Sequence, residues 1–175
     1  MRRAVGFTIV EIVVALVLIG VIAAVTMGRF TNSNAFNALA TQGQIISIIR
    51  AGQQSSLGRE GVSVTLTPNA SGAELTVELA ETGGTIESQA INASGVSLSG
   101  DVNQTDSCEV TAGVTGISSA SPMTIRFGEL GDLDNSGFGA GTAVTSAVRV
   151  CINNDSEFSV CVSPAGFAYA GDCDA

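Results

Sequence analysis

Residues 7–25 read FTIVEIVVALVLIGVIAAV, and a single carboxylate, Glu11, is the only charged group in this apolar run. The run follows the basic leader MRRAVG at residues 1–6. At about 1.5 Å per residue, a helix over residues 7–25 is ~29 Å long, close to the thickness of the hydrocarbon core of a bilayer. The sequence therefore predicts a helix that crosses a membrane, with the basic leader on the cytoplasmic side.

Glu11 distinguishes this helix from an ordinary anchor. A carboxylate deep in a lipid-embedded helix costs on the order of 2.5–3.5 kcal/mol, so an acid there usually has a partner that neutralises it. Residues 7–25 contain no Arg, Lys or His, so the positive group would come from another molecule or from a newly made chain terminus. The alternative is a plain transmembrane helix or a secretory signal peptide. Ile22-Ala23-Ala24 could imitate a signal cleavage site, but such signals carry no acid in their apolar region.

The segment Gly6-Phe7-Thr8-Ile9-Val10-Glu11, followed by the apolar run, resembles the class III signal of type IV pilins and type II secretion pseudopilins. The resemblance implies that a prepilin peptidase cleaves between Gly6 and Phe7 and methylates the new N-terminal Phe7. It also implies that Glu11 accepts the α-amine of a neighbouring subunit during assembly.

The same resemblance implies the partners and the location of the protein. The partners are other pilin or pseudopilin subunits, contacted through the N-terminal helix, the prepilin peptidase, an inner-membrane assembly platform and the membrane itself. The expected location is the bacterial inner membrane, as a single-pass protein with its C-terminal domain in the periplasm. After assembly it would lie in an extracellular filament or a pseudopilus.

Composition narrows the function. The 175 residues provide for one membrane helix and one domain of ordinary size. A formal net charge of −9 argues against nucleic-acid binding by a broad basic face. The sequence has no His and no Lys, which removes the Ser–His–Asp triad, the Cys–His dyad, the His-ligated zinc site and the P-loop lysine. We therefore expect a non-enzyme with no catalytic residue and no cofactor.

The pattern divides the chain into four segments: a leader at 1–6, a transmembrane and filament-core helix at 7–29, an amphipathic continuation of the helix at 30–58, and a β-rich periplasmic or extracellular head domain at 59–175. The expected fold is α+β, the type IV pilin fold, in which a long N-terminal helix with a membrane-spanning first half packs on an antiparallel β-sheet. Alternating apolar and polar residues predict strands at 62–66, 74–79, 96–98 and 123–127.

Four cysteines, Cys108, Cys151, Cys161 and Cys173, lie in the head domain. Their spacing lacks the close C-x₂₋₄-C pairs of zinc sites, so we predict disulfides. Residues 153–156 (NNDS) are turn formers and predict a hairpin that brings Cys151 near Cys161. In the competing arrangement Cys161 bonds to Cys173 and Cys108 reaches Cys151. The sequence leaves both arrangements open.

A weak calcium pattern follows the fourth predicted strand. Asp132, Asp134 and Ser136 place oxygen side chains at the first, third and fifth positions of a loop whose sixth position is Gly137. This is the spacing of an EF-hand loop, but its twelfth position is Ala143 rather than Glu. A solvated acidic turn is the favoured interpretation.

Three functional hypotheses follow. The layout, with Ser163-Pro164-Ala165-Gly166 and a terminal cysteine, is similar to the GspH/FimT subgroup of pseudopilins and minor pilins and to a minor subunit of the mannose-sensitive haemagglutinin type of pilus. The resemblance therefore implies a minor or initiating pilin of a type IV pilus, or a pseudopilin of a type II secretion system. The third hypothesis is a filament-tip adhesin or DNA-uptake receptor, against which the acidic C-terminus and the scarcity of aromatic residues argue.

Overall fold

The computed structural model describes residues 9–27, 33–103, 108 and 114–173. The chain divides into two compact units, residues 1–33 and residues 34–175. The first unit contains helix α1, Ile9–Met27. The second contains helix α2, Ser33–Ser56, from Asn34 onward, and all the strands of the described part of the chain. The leader, with Gly6 and Phe7, lies outside the described residues.

The predicted long helix is two separate elements. Residues 31–34 read TNSN, and these residue types favour helix starts over helix interiors because their side chains compete for backbone hydrogen bonds. The described residues form two helices, α1 Ile9–Met27 and α2 Ser33–Ser56. The prediction of one continuous helix over both segments is wrong.

No helix in the described part of the chain is long and apolar enough to cross a membrane. The predicted membrane-spanning half of the helix is therefore wrong. The predicted location as a single-pass protein of the bacterial inner membrane is wrong for the same reason.

Helix α2 buries one face, and a glycine follows its C-terminal end. Ala38, Ile45 and Ile49 are fully buried at helical spacing. Gly52 continues this face, and a β-carbon there would lie 2.7 Å from a methyl group of Val64, so glycine permits the close approach of helix and sheet. After Ser56 the chain reaches Gly58, whose φ of 75° lies in the left-handed region that glycine adopts without strain.

Within the described residues, the strands form two antiparallel sheets of five strands each. Sheet 1 has the order β3-β2-β1-β6-β7, and sheet 2 has the order β10-β9-β8-β4-β5. The bounds are β1 Val62–Pro68, β2 Glu74–Glu81, β3 Gly84–Asn92, β4 Leu98–Val102, β5 Thr115–Gly116, β6 Met123–Phe127, β7 Gly137–Phe138, β8 Val148–Ile152, β9 Asp155–Val162 and β10 Ala168–Ala170.

One continuous hydrophobic core joins α2 to both sheets. Strand β1 alternates buried and half-buried residues, as a strand with one covered face does. Strand β8 is buried at every position, because sheet 2 packs on the main core with one face and lies under both disulfides with the other. The predicted single sheet is wrong, because β1 pairs with β6 and β4 pairs with β8 over long sequence separations, and these pairings divide the strands between two sheets.

Candidate functional site

Helix α1 carries the first predicted site residue. Glu11 lies in the first turn of α1. Carboxylates near a helix N-terminus interact favourably with the helix dipole, typically by about 0.3–1 kcal/mol. Gly6 and Phe7, the predicted cleavage and methylation residues, precede the described residues, so the structure does not bear on them.

The described side chains around Glu11 are apolar on every side of α1. The large apolar side chains between Ile9 and Val21 are 51% to 82% exposed. A helix that is apolar all round is normally buried, in the core of a large protein, in an assembly or in lipid. Residues 9–21 of α1 therefore present an apolar surface that another molecule would have to bury.

The head domain pairs all four cysteines, as Cys108–Cys151 and Cys161–Cys173, with Cα–Cα distances of 5.6 and 5.2 Å. The register of the β8–β9 hairpin explains the choice. Cys161 lies opposite Arg149, so Cys151 is displaced along the ladder and does not face Cys161. The hairpin itself forms as predicted around Asn153 and Asn154, both of which have positive φ, the conformation of the tight two-residue hairpin turn.

A buried ion pair lies on the same face of sheet 2 as the disulfides. Arg149 on β8 donates from Nη2 to Oδ2 of Asp101 on β4 at 2.5 Å, and from Nε to Oδ1 at 3.3 Å. The Arg149 side chain is fully buried and the Asp101 side chain is 5% exposed. Asp101 and Arg149 are 48 residues apart and meet only because β4 pairs with β8, so no local sequence pattern could have revealed the pair.

Residues 171–173 are held against this face. Oδ1 of Asp172 accepts hydrogen bonds from the backbone N–H of Cys108 and the hydroxyl of Ser159, at 3.4 and 3.2 Å. The N–H of Gly171 donates to the carbonyl of Ser159 at 2.9 Å. The C-terminal segment is therefore fixed by backbone and side-chain hydrogen bonds as well as by the Cys161–Cys173 bond.

The calcium pattern folds as a structural turn. The Ser136 hydroxyl is fully buried, accepts from the N–H of Arg126 and donates to the carbonyl of Asp134, each at 3.0 Å. Asp132 and Asp134 are exposed. No group of three or more potential His, Cys, Asp or Glu metal ligands occurs among the described residues. The structure thus uses the oxygen of Ser136 to hold the loop to β6.

Two acidic side chains interact, Glu60 shortly after the end of α2 and Glu129 in the turn after β6. The carboxyl of Glu60 raises the pKa of Glu129 above its usual 4.5, by a hydrogen bond between the side chains and by charge repulsion. The N–H of Gly58 donates to the carbonyl of Glu129 at 2.9 Å and fixes the backbone between them. No sequence pattern predicts this pair, because its two residues are 69 positions apart in the chain.

A shallow cavity of about 370 Å³ opens at the end of the two sheets, between the β1–β2 turn and the start of β4. Pro68, Asn69, Ser97, Leu98 and Ser118 are among its lining residues. None of its lining residues is aromatic or charged. The cavity therefore lacks the stacking and ionic groups that ligand sites commonly use to fix orientation.

No protein-family model matches the sequence, and neither the curated proteins nor the solved structures include one with significant similarity to it.

Proposed function

We propose that this chain is a structural subunit of a filament of the type IV pilin class, a minor or initiating pilin of a type IV pilus similar to the mannose-sensitive haemagglutinin type. The observation that carries the proposal is α1, in which exposed apolar side chains surround one acidic residue of the first turn, Glu11. The resemblance of residues 6–11 to the class III signal supplies the role of this helix. The partners would be like subunits, a prepilin peptidase and an inner-membrane assembly platform.

Association of α1 helices would bury their exposed apolar side chains. Burial of a large aliphatic side chain stabilises an assembly by roughly 1.5–3 kcal/mol, and α1 offers such side chains on every side. Because apolar contacts are non-directional, they do not fix how far one helix is shifted along its axis relative to its neighbour. A charged pair between Glu11 and the α-amine at Phe7 of a neighbour would fix that position, since any offset leaves a charge without its partner in an apolar bundle.

The head domain suits exposure in an oxidising compartment. All four cysteines are in disulfides, and structural disulfides persist outside the reducing cytosol. The bonds lie on one face of sheet 2, where they tie Cys108 to β8 and Cys173 to β9. A head domain tied in this way keeps its shape when the filament is pulled or sheared.

The arginines of the described head domain are engaged within the domain, which disfavours a DNA receptor. Arg50 donates to the carbonyl of Ala168 and stacks on Phe167, Arg59 pairs with Glu81, Arg126 donates to the carbonyls of Asn135 and Gly139, and Arg149 is buried on Asp101. Phosphate binding needs a cluster of accessible cations. The cavity without aromatic residues likewise disfavours a glycan adhesin.

A pseudopilin of a type II secretion system remains the second candidate, because the resemblance of residues 6–11 to the class III signal is common to both machines. Genome neighbourhood separates the two at once, since pilus and secretion genes lie in different operons. Immunogold labelling of sheared filaments then gives the position of the subunit, at the tip or along the shaft.

Replacement of Glu11 tests the assembly role. We expect Glu11→Gln and Glu11→Ala to lower incorporation into sheared filaments strongly, while the melting temperature of the head domain stays unchanged because Glu11 lies in the other unit. Glu74→Gln, at an exposed position of β2, is the matched control and should incorporate normally. Normal incorporation of both Glu11 variants would refute the assembly role.

A further inference from the structure

We propose that residues 163–172, which we call the flap, open and close as a local unit of the head domain. Two side chains of α2, Arg50 and Gln53, hold the flap closed, and the Cys161–Cys173 disulfide retains it when it opens. The inference uses no residue of α1 and goes beyond the proposed filament role.

The flap buries little apolar surface. It consists of the turn at 163–166, strand β10 and the two residues that precede Cys173. Within residues 163–172, all of which the structure describes, only Gly166 and Ala168 are buried. Phe167 is 53% exposed and Tyr169 is half-buried. A segment of this kind gains little from the hydrophobic core, so its closed position depends mainly on hydrogen bonds.

The ladder that joins the flap to sheet 2 is short. Strand β10 pairs with β9 at three positions, and the N–H of Gly171 adds a bond to the carbonyl of Ser159 at 2.9 Å. Strand β1, in contrast, is paired along both of its edges, with β2 and with β6. Units with few hydrogen bonds and few buried apolar contacts open at a lower free-energy cost than central strands do.

Side chains of α2 supply further bonds that close the flap. Nε and Nη2 of Arg50 donate to the carbonyl of Ala168 at 3.0 and 2.8 Å, and the guanidinium lies over the ring of Phe167, 5.1 Å from its centroid. Nε2 of Gln53 donates to the carbonyl of Ala165 at 2.8 Å. Hydrogen bonds from a charged donor are stronger than those between neutral groups, so Arg50 contributes more to closure than Gln53 does.

The turn after β6 completes the closed position. The N–H of Leu133 donates to the carbonyl of Pro164 at 2.8 Å. A β-carbon at Gly166 would overlap the carbonyl oxygen of Gly131, so the backbone of the flap packs directly on this turn. The amide of Leu133 loses its partner when the flap opens, and it therefore reports opening from outside the flap.

The disulfide defines the two ends of the flap. Cys161 lies on β9, Cys173 follows the flap, and both are buried. The bond closes a loop that contains the whole flap. An open flap therefore stays attached at both ends and recloses at a high effective concentration, while opening uncovers the edge of β9 that β10 pairs with.

Amide hydrogen exchange of the oxidised full-length chain in detergent, read by NMR, tests local opening. We expect the amides of Gly171 and Leu133 to exchange together, and at least about a hundredfold faster than the amides of the β1–β2 ladder once intrinsic rates are corrected for. Exchange of both reporter amides at the rate of the β1–β2 amides would show that they open only by global unfolding and would overturn the proposal.

Replacement of the two α2 side chains tests how the flap is held. We expect Arg50→Met to speed exchange of the Gly171 and Leu133 amides about tenfold or more, and Gln53→Met to act in the same direction by a smaller factor, with β1–β2 rates unchanged. Asn37→Met is the matched control, because Asn37 of α2 also donates to a carbonyl, that of Ser94 at 2.9 Å, outside the flap. Unchanged reporter rates in both variants, or an equal rise at every amide, would contradict the proposal.

Limited digestion with chymotrypsin tests the role of the disulfide. Cleavage after Phe167 or Tyr169 follows the population of the open flap, and the piece that contains Cys173 then remains bonded to Cys161. We expect Arg50→Met to speed this cleavage about tenfold and the C-terminal piece to separate only after reduction. Release of that piece without reduction, or a cleavage rate that Arg50→Met does not change, would contradict a flap that Arg50 closes and the disulfide retains.

Discussion

Removal of one partner of the buried ion pair should destabilise the head domain severely. Asp101→Asn leaves the guanidinium of Arg149 without its counter-charge at a position where the side chain has no exposure. Among the described residues, Nη1 of Arg149 already has no hydrogen-bond partner, so the group has little local compensation. An uncompensated buried charge of this kind costs about 3–5 kcal/mol.

This loss is large against the whole stability of a domain, which is about 5–15 kcal/mol. For a domain of this size it corresponds to a fall in melting temperature of roughly 6–20 °C. Replacement of both groups, as Asp101→Leu with Arg149→Met, removes the charge together with its partner. Such double replacements are often neutral or stabilising, so we expect the double variant to be more stable than Asp101→Asn.

Urea unfolding of the oxidised chain, followed by far-UV circular dichroism, measures these free energies. The matched control is Arg59→Met, because Arg59 and Glu81 form an ion pair at 3.2 Å whose side chains are 54% and 37% exposed. Exposed pairs contribute about 0–1 kcal/mol, so the control should unfold nearly as the wild type does. A loss of stability in Asp101→Asn no larger than that of the control, or a double variant as unstable as Asp101→Asn, would contradict the expected cost of an unpaired buried charge.

The remaining predictions concern packing, pH and maturation. In the same urea assay, Gly52→Ala should destabilise the chain by about 1–3 kcal/mol, because the new β-carbon would overlap side chains of sheet 1. Gly43→Ala should instead stabilise the helix by roughly 0.5–1 kcal/mol, because a β-carbon at this position meets nothing within 4 Å. Glu60 raises the pKa of Glu129 in the folded chain, so the folded state holds the Glu129 proton more tightly than the unfolded state does. The stability that this proton contributes is therefore lost as pH rises above about 4.5. Glu129→Gln should remove that part of the pH dependence, and an unchanged profile of melting temperature against pH would refute the coupling. Gly6→Leu should block maturation and leave the precursor band unshifted on a gel.

The sequence predicted the elements whose burial alternates. Strands at 62–66, 74–79 and 123–127 lie within β1, β2 and β6, because each of these strands buries one face and exposes the other. Strand β3 gave no such pattern, since both of its faces are exposed apart from Ile91. The β8–β9 hairpin was predicted, but the second sheet was missed because β4 pairs with β8 over a long sequence separation that leaves no local pattern.

Long-range contacts were beyond the reach of the sequence pattern. The disulfide connectivity depended on which residue of β9 lies opposite Arg149, and a shift of register would have changed the outcome. The Asp101–Arg149 ion pair could not be predicted either, because its two residues meet only through the pairing of β4 with β8. The continuous helix was a wrong prediction because apolar spacing was followed through residues 31–34, whose polar side chains favour a new helix start.

The mature N-terminus tests the central claim most directly. Intact-mass and N-terminal peptide mass spectrometry, on chain purified from sheared filaments, should find that residues 1–6 are absent and that the chain begins with a methylated Phe7. A chain that retains residues 1–6, or one that is cut beyond Ala24, would contradict assembly through the α-amine of Phe7 and the carboxylate of Glu11.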